Sequence, residues 1–260
     1  MTDTLDCEVL GKGPRVIFVH GSVNDGPAAF SAQRPLAERW QIVIPNRRGY
    51  GKNPPIARVD VQQDAADVSA LLDDGAHLVG TSMGGIVAGM AAGMAPARVL
   101  SLTLIEPPAF TNCRDIPLVA EHAQHQRDYW DKAKHAEPAE FLRGFLEVIH
   151  SRVQLPSPLP ASFLVATRNL MTERPWENGI PVAALRNTAF PKLVVSSGDS
   201  PAFEAICGRL ASELRAERKI FPGAGHAVQR IGQPFNDALE QFMRAADGAG
   251  ARTAIQRSAR

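Results

Sequence analysis

HLVGTSMGGIVAGMAA, residues 77–92, reads as an apolar run, a turn of small residues and the start of a helix. Ser82 sits between Gly80 and Gly84, so the turn has the form G-x-S-x-G after a strand and before a helix, the pattern of a nucleophile elbow. So tight a turn strains the backbone of the serine and leaves no room for side chains two residues away. Gly80 and Gly84 meet that demand. The turn lifts Ser82 Oγ to the edge of a sheet, and the N–H groups of the helix start point at the same spot. A serine hydroxyl is a weak nucleophile until a base takes its proton, and the base in turn needs a carboxylate. The flanking elements are therefore read for those two partners.

Towards the N-terminus, Leu5 to Leu10 and Arg15 to His20 read as strands around the turn Gly11-Lys12-Gly13-Pro14. Val16-Ile17-Phe18-Val19 is the continuous apolar run of a strand buried on both faces. It ends in His20-Gly21-Ser22. A helix is expected over Ala29 to Arg39, a strand over Gln41 to Pro45, and a helix over Val61 to Leu72. Beyond the elbow helix, Val99 to Ile105 is a strand closed by Glu106-Pro107-Pro108. Alternation then lapses into proline-broken helices (His122 to Ala133, Pro138 to Ile149, Ala161 to Met171). It resumes with strands at Lys192 to Ser196 and Glu217 to Phe221, and helices at Ala202 to Leu214 and Ile231 to Ala245.

Alternating strands and helices specify an α/β fold, a mostly parallel sheet with helices on both faces. The expected organisation is a core of residues 1–108 and 190–247, a helical insertion over 109–189, and a polar, disordered end over 248–260.

In such a sheet ligands bind beyond the carboxyl ends of the strands. Four chemically capable residues fall at those ends: Ser82, Glu106, Asp199 and His226. Ser82 is the candidate nucleophile and His226 the candidate base. Two carboxylates compete to be the acid. Asp199, before Ser200-Pro201, also suits an ordinary turn. Glu106 is a charge at the end of an apolar strand and must find a partner, so Glu106 is preferred and Asp199 is the alternative.

Taken together, His20-Gly21, Arg48-Gly49-Tyr50-Gly51, Gly80-Thr81-Ser82-Met83-Gly84 and Gly223-Ala224-Gly225-His226 resemble the α/β-hydrolase superfamily over nearly the whole chain. The resemblance implies that residues 109–189 form a helical cap. It also implies an oxyanion hole built from the backbone N–H of Met83, which follows the nucleophile, and of Ser22, which follows His-Gly. The superfamily's usual acid lies three residues after the glycine that ends the penultimate strand, and counting from Gly198 reaches Pro201. Haloalkane dehalogenases and some lipases instead keep an acid after the strand where Glu106 stands, although dehalogenases carry an aspartate at the elbow.

Composition narrows the remaining classes. Lys plus Arg number 28 against 27 Asp plus Glu, so there is no strong positive field and no nucleic-acid partner is expected. Cys7, Cys113 and Cys207 are scattered and odd in number, which points to free thiols in a reducing compartment and no structural zinc. The acidic opening MTDTLDCEVLGKG lacks the apolar core of a secretory signal, and no apolar run reaches membrane-spanning length. A cytoplasmic protein with no membrane partner, no metal and no cofactor is expected. His122 and His125 read as a solvated helix face. The expected function is a serine hydrolase for a small, largely apolar ester or lactone. The same resemblance leaves open a C–C bond hydrolase of dienoic ring-cleavage products, a cofactor-free perhydrolase, or a ligand receptor or cyclase. The partner is a small-molecule substrate, and monomer and homodimer both fit the sequence.

Overall fold

The computed structural model describes residues 5–149, 151 and 153–258, the last ten by their backbone alone. Seven strands form its sheet: β1 (Cys7–Leu10), β2 (Arg15–Val19), β3 (Gln41–Pro45), β4 (Ala76–Thr81), β5 (Val99–Ile105), β6 (Lys192–Ser196) and β7 (Glu217–Ile220). Their spatial order is β1-β3-β2-β4-β5-β6-β7. β1 runs antiparallel to β3 and every other pair is parallel. From β2 the chain steps to one side for β3 and returns to the other side for β4. Strand order therefore reverses between β2 and β4, and a crevice opens beyond their carboxyl ends.

The helices are α1 (Gly26–Ala29), α2 (Val61–Ala70), α3 (Met83–Met94), α4 (Pro117–Ala133), α5 (Pro138–Val148), α6 (Ala161–Thr172), α7 (Val182–Leu185), α8 (Pro201–Leu214) and α9 (Gln233–Ser258). Side chains alternate across the sheet as a strand requires. Ile17 and Val19 of β2 join one buried cluster with α2, α3 and α8. Val16 and Phe18 join another with Trp40 and with Phe235, Leu239 and Phe242 of α9. Trp130, Phe141, Phe145, Leu170 and Trp176, from the segment between β5 and β6, belong to the first cluster. That segment packs its aromatic side chains onto the core and shares one hydrophobic interior with it.

α3 is buried nearly all round, and its glycines let it lie against the sheet. A Cβ at Gly84 would fall on the carbonyl oxygens of Val19 and His20, and one at Gly80 would fall on the carbonyl of Gly84. The two glycines of the elbow are therefore contact surfaces between strand and helix, beyond their freedom to turn.

Three local expectations are revised. The helix expected over Ala29 to Arg39 is instead α1 followed by a 3-10 helix over Ser31–Glu38 with Pro35 inside it. A proline ring clashes with the carbonyl four residues earlier and offers no N–H, which breaks a regular α-helix. α4 begins at Pro117, five residues before the expected His122, with proline at the helix start where its missing N–H costs nothing. α9 continues over 248–258, where a disordered end is expected. Alanine, glutamine and arginine there are good helix formers, and residues 259–260 lie outside the described residues. No helix among the described residues is long and apolar enough to cross a membrane.

Candidate active site

The elbow fixes the site. Ser82 has φ 52° and ψ −127°, a conformation that L-residues avoid. Its N–H donates to Ile105 O at 2.8 Å, which ties the end of β4 to the end of β5. The next residue, Glu106, also has a positive φ, 41°, and its N–H donates to Val195 O at 3.0 Å on β6. Strained non-glycine residues cluster where function holds them, and these two stand at adjacent strand ends.

His226 Nε2 lies 3.0 Å from Ser82 Oγ, and its Nδ1 lies 2.7 Å from Glu106 Oε2. The other carboxylate oxygen, Glu106 Oε1, accepts from Ser197 N–H at 2.7 Å and Ser197 Oγ at 2.6 Å. Glu106 is buried while the His226 side chain is partly open. Burial alone pushes the Glu106 carboxyl up. The His226 ring and both Ser197 donors outweigh it and hold the group below the usual carboxylate range. The Phe203 ring rests against the imidazole with centroids 4.6 Å apart.

Of the two carboxylates weighed for the acid, Glu106 is the one within hydrogen-bond distance of His226. Asp199 does something else. Its oxygens accept from Gly223 N–H at 3.1 Å and Gly225 N–H at 2.9 Å, clamping the loop that carries His226. Both glycines have positive φ, so the loop needs a residue without a Cβ and an acceptor to face its exposed donors.

Met83 and Ser22 line the wall beside Ser82. Residue 21 runs so close that a Cβ on it would lie 3.1 Å from Ser82 Cβ. The Ser22 hydroxyl is already committed. It donates to Glu173 Oε2 at 2.5 Å, which leaves only its backbone to serve the crevice.

Glu173 opens a buried polar network that sequence inspection missed. Its Oε1 accepts from Arg47 Nη2 at 3.0 Å, and the same nitrogen donates to Gly21 O at 3.0 Å and Tyr50 Oη at 3.2 Å. Arg47 Nη1 reaches Asp64 Oδ2 at 3.3 Å. Arg48, the next residue, pairs with Asp67 at 2.6 Å. Arg47 N–H donates to His20 Nε2 at 2.9 Å, and His20 Nδ1 lies 2.7 Å from Gly21 O. Burial first and the Arg47 charge second push His20 down to about 3, so it stays neutral and orders the Gly21-Ser22 turn. The only signal for Glu173 in the sequence was a carboxylate at the end of an amphipathic helix, and such residues are usually solvated.

Arg47 faces two buried carboxylates, and Glu173 is the closer. Asp64 carries the excess negative charge. Burial, offset only in part by Arg47, pushes its carboxyl up to about 6 from 3.8. A carboxyl raised on folding contributes stability that is present below its unfolded pKa and lost as pH rises through the folded one. Wild-type protein is therefore expected to gain stability as pH falls from 7 towards 4, by up to about 3 kcal/mol for a two-unit shift. Asp64→Asn should flatten that part of the profile. Thermal melting across this range for both proteins checks it, and an equal slope in the variant would assign the pH dependence elsewhere.

Two chambers meet at Ser82 and His226. The outer one, about 80 Å³, has the apolar side chains Val23, Leu146 and Val153 in its wall. The inner one, about 20 Å³, is walled by Pro108, Leu170 and Phe203 together with Gln126 and Glu173. Phe145 and Ile149 border both. His122 does not lie on a solvated face as expected. Its ring packs between Phe110 and Phe203, with centroids 6.0 and 5.9 Å away.

Residues 16–238 match the model of the alpha/beta hydrolase family. Among curated proteins the chain is 36% identical over 105 residues to the dihydrolipoyllysine-residue acetyltransferase component of the acetoin cleaving system of Cupriavidus necator. That match covers 38% of this chain and 28% of the other. It is 27% identical over 226 residues to the pimeloyl-[acyl-carrier protein] methyl ester esterase of Chromobacterium violaceum, covering 86% of this chain and 81% of that one. The chain thus spans little more than a quarter of the first relative and about four-fifths of the second. Among solved structures it superposes on a thermophilic esterase from Thermogutta terrifontis with a TM-score of 0.66 and 24% identity, over 93% of both chains.

Proposed function

This chain belongs to the alpha/beta hydrolase family, and on that premise we propose that it is a serine esterase cleaving a small, largely apolar carboxylic ester or lactone. The observation that carries the reading is the unbroken line from Ser82 Oγ through the two nitrogens of His226 to Glu106, at 3.0 and 2.7 Å. In it, His226 Nδ1–H donates to Glu106 Oε2, which leaves Nε2 free to take the Ser82 proton as Oγ attacks the ester carbonyl. Glu106 fixes that tautomer and stabilises the imidazolium. The backbone N–H groups of Met83 and Ser22 receive the developing oxyanion. Collapse of the tetrahedral intermediate breaks the C–O bond, and the proton on His226 goes to the leaving alcohol. His226 then takes a proton from water as its oxygen attacks the acyl carbonyl; the bond to Ser82 Oγ breaks, His226 returns the proton to Oγ, and the acid is released.

The apolar walls of the outer chamber support a substrate with little charge. The relative from Chromobacterium violaceum is named as a methyl ester esterase, which agrees with an ester of a small alcohol. In this reading residues 109–189 act as the cap: α5 supplies Phe145 and Leu146 to the chamber walls and shields the acyl-enzyme from bulk water.

The test is covalent. Incubation with a fluorophosphonate is expected to add one adduct, mapped by mass spectrometry to the peptide bearing Ser82, and short p-nitrophenyl esters should be turned over. An adduct elsewhere, or none, would overturn the reading. A burst of p-nitrophenol with no turnover would point to a ligand receptor instead.

A further inference from the structure

The loop that carries His226 has few anchors of its own. None of residues 221–227 is buried, and Gly223 and Gly225 within it take positive φ. The first buried residues after the histidine are Val228 and Gln229. Val228 packs in the apolar cluster on one face of the sheet. Gln229 is a polar side chain withdrawn from water, and both ends of its amide are spent close to the site. Its Oε1 accepts from Thr81 Oγ1 at 3.1 Å, and its Nε2 donates to Ala29 O at 3.4 Å. The backbone of the same residue is held from behind. Gln33 Nε2 donates to Gln229 O and to Asn236 Oδ1, both at 2.8 Å, and Asn236 Nδ2 donates to Ala32 O at 2.8 Å. Gln33, Thr81, Gln229 and Asn236 are all buried, where a satisfied polar network is stronger than the same bonds in water.

We propose that Gln229 is a positioning residue for the Ser82–His226 pair, acting through Thr81; the role rests on the serine-esterase reading. Thr81 directly precedes the nucleophile, and Gln229 follows the base by three residues. Their hydrogen bond is therefore a second bridge beside the 3.0 Å contact between Ser82 Oγ and His226 Nε2. Ser82 is already tied down, since its N–H donates to Ile105 O. The imidazole is held differently. Glu106 takes Nδ1 and the Phe203 ring rests against it, but neither joins its loop to β4, the strand that presents Ser82. The Asp199 clamp on Gly223 and Gly225 acts in the open and likewise makes no contact with β4. Gln229 supplies that tie. Without it the loop can shift the ring away from Oγ, and a misplacement of about 1 Å costs about a hundredfold in rate.

Gln229→Leu and Thr81→Val each remove one side of the bond at nearly constant volume. Each is expected to lower kcat for p-nitrophenyl esters by about tenfold to a hundredfold, with KM within about twofold of wild type. Fluorophosphonate labelling of Ser82 should slow by the same factor. Thr81→Ser keeps the hydroxyl and should recover most of the rate, which a role in packing alone would not produce. The double variant Thr81→Val/Gln229→Leu should lose little more than either single one, as for two halves of one interaction. Crystal structures of wild type and Gln229→Leu give a readout that needs no turnover: the separation of Ser82 Oγ from His226 Nε2 should open beyond about 3.5 Å in the variant. A wild-type protein that neither labels nor turns over esters sinks the esterase reading, and the two separations still decide the role of Gln229. The proposal is overturned by a separation that Gln229→Leu leaves unaltered, by a variant kcat equal to wild type, or by Thr81→Ser as slow as Thr81→Val.

Discussion

Glu106→Gln is expected to lower kcat for ester hydrolysis by about 10⁴-fold, the cost of placing the imidazole in the wrong tautomer. The carboxylate accepts from His226 Nδ1 at 2.7 Å while Ser197 occupies its other oxygen. With Ser197 N–H and Oγ both directed at that oxygen, a glutamine is held with its amide oxygen towards Ser197 and its N–H₂ towards His226. The histidine then accepts at Nδ1, carries its proton on Nε2, and points a donor at Ser82 Oγ where the proposed mechanism needs an acceptor. KM should change little, since neither group binds substrate. Ser82→Ala should cost still more, about 10⁶-fold in kcat. Asp199→Asn is the contrast. It keeps one of the two acceptors that clamp Gly223 and Gly225, and its kcat should stay within about tenfold of wild type while its melting temperature falls, the change of one loop hydrogen bond. Steady-state kinetics on the three purified variants decide the matter. A greater loss in Asp199→Asn than in Glu106→Gln would move the acid to Asp199.

Gly84→Ala is expected to cost most of the stability of the fold. The added methyl carbon would fall on the carbonyl oxygens of Val19 and His20. These are backbone atoms of the central strand and of the turn that carries Ser22, so no rotamer change relieves the overlap. Either α3 lifts from the sheet or β2 bends, and a penalty of about 4 kcal/mol or more belongs to this kind of substitution. A domain has only about 5–15 kcal/mol in total. Gly208→Ala provides the control: it lies within α8, its Cβ would meet nothing within 4 Å, and the substitution should stabilise by up to about 1 kcal/mol through helix propensity. Urea denaturation midpoints of the two variants measure both effects. A Gly84→Ala protein as stable as wild type would show that α3 and β2 are less closely packed than these contacts require.

Much of this protein was legible in its linear order. Val16 to Val19 is apolar without interruption and fully buried, and only a strand buried on both faces needs that. Gly80 and Gly84 flank a serine because strand and helix touch there. Local rules of this kind act over a few residues and survive being read along a string, as does the position of His226 after a late strand. Helix ends were less legible. α4 starts five residues early at Pro117, and Pro35 turned an expected α-helix into a 3-10 one.

What residues 77–92 determined by themselves was the elbow: a serine raised at a strand end by two glycines that a Cβ would destroy. The sequence preferred Glu106 over Asp199 as the partner of His226 but left both standing. Glu106 and Asp199 both stand at strand ends, and the choice depends on which loop brings its oxygen to His226 Nδ1 and which instead meets the bare N–H groups of Gly223 and Gly225. The partners of Glu173, distant in the chain at Ser22 and Arg47, were likewise invisible. Pairings between residues separated by 100 positions or more are set by packing, and only the folded chain makes them.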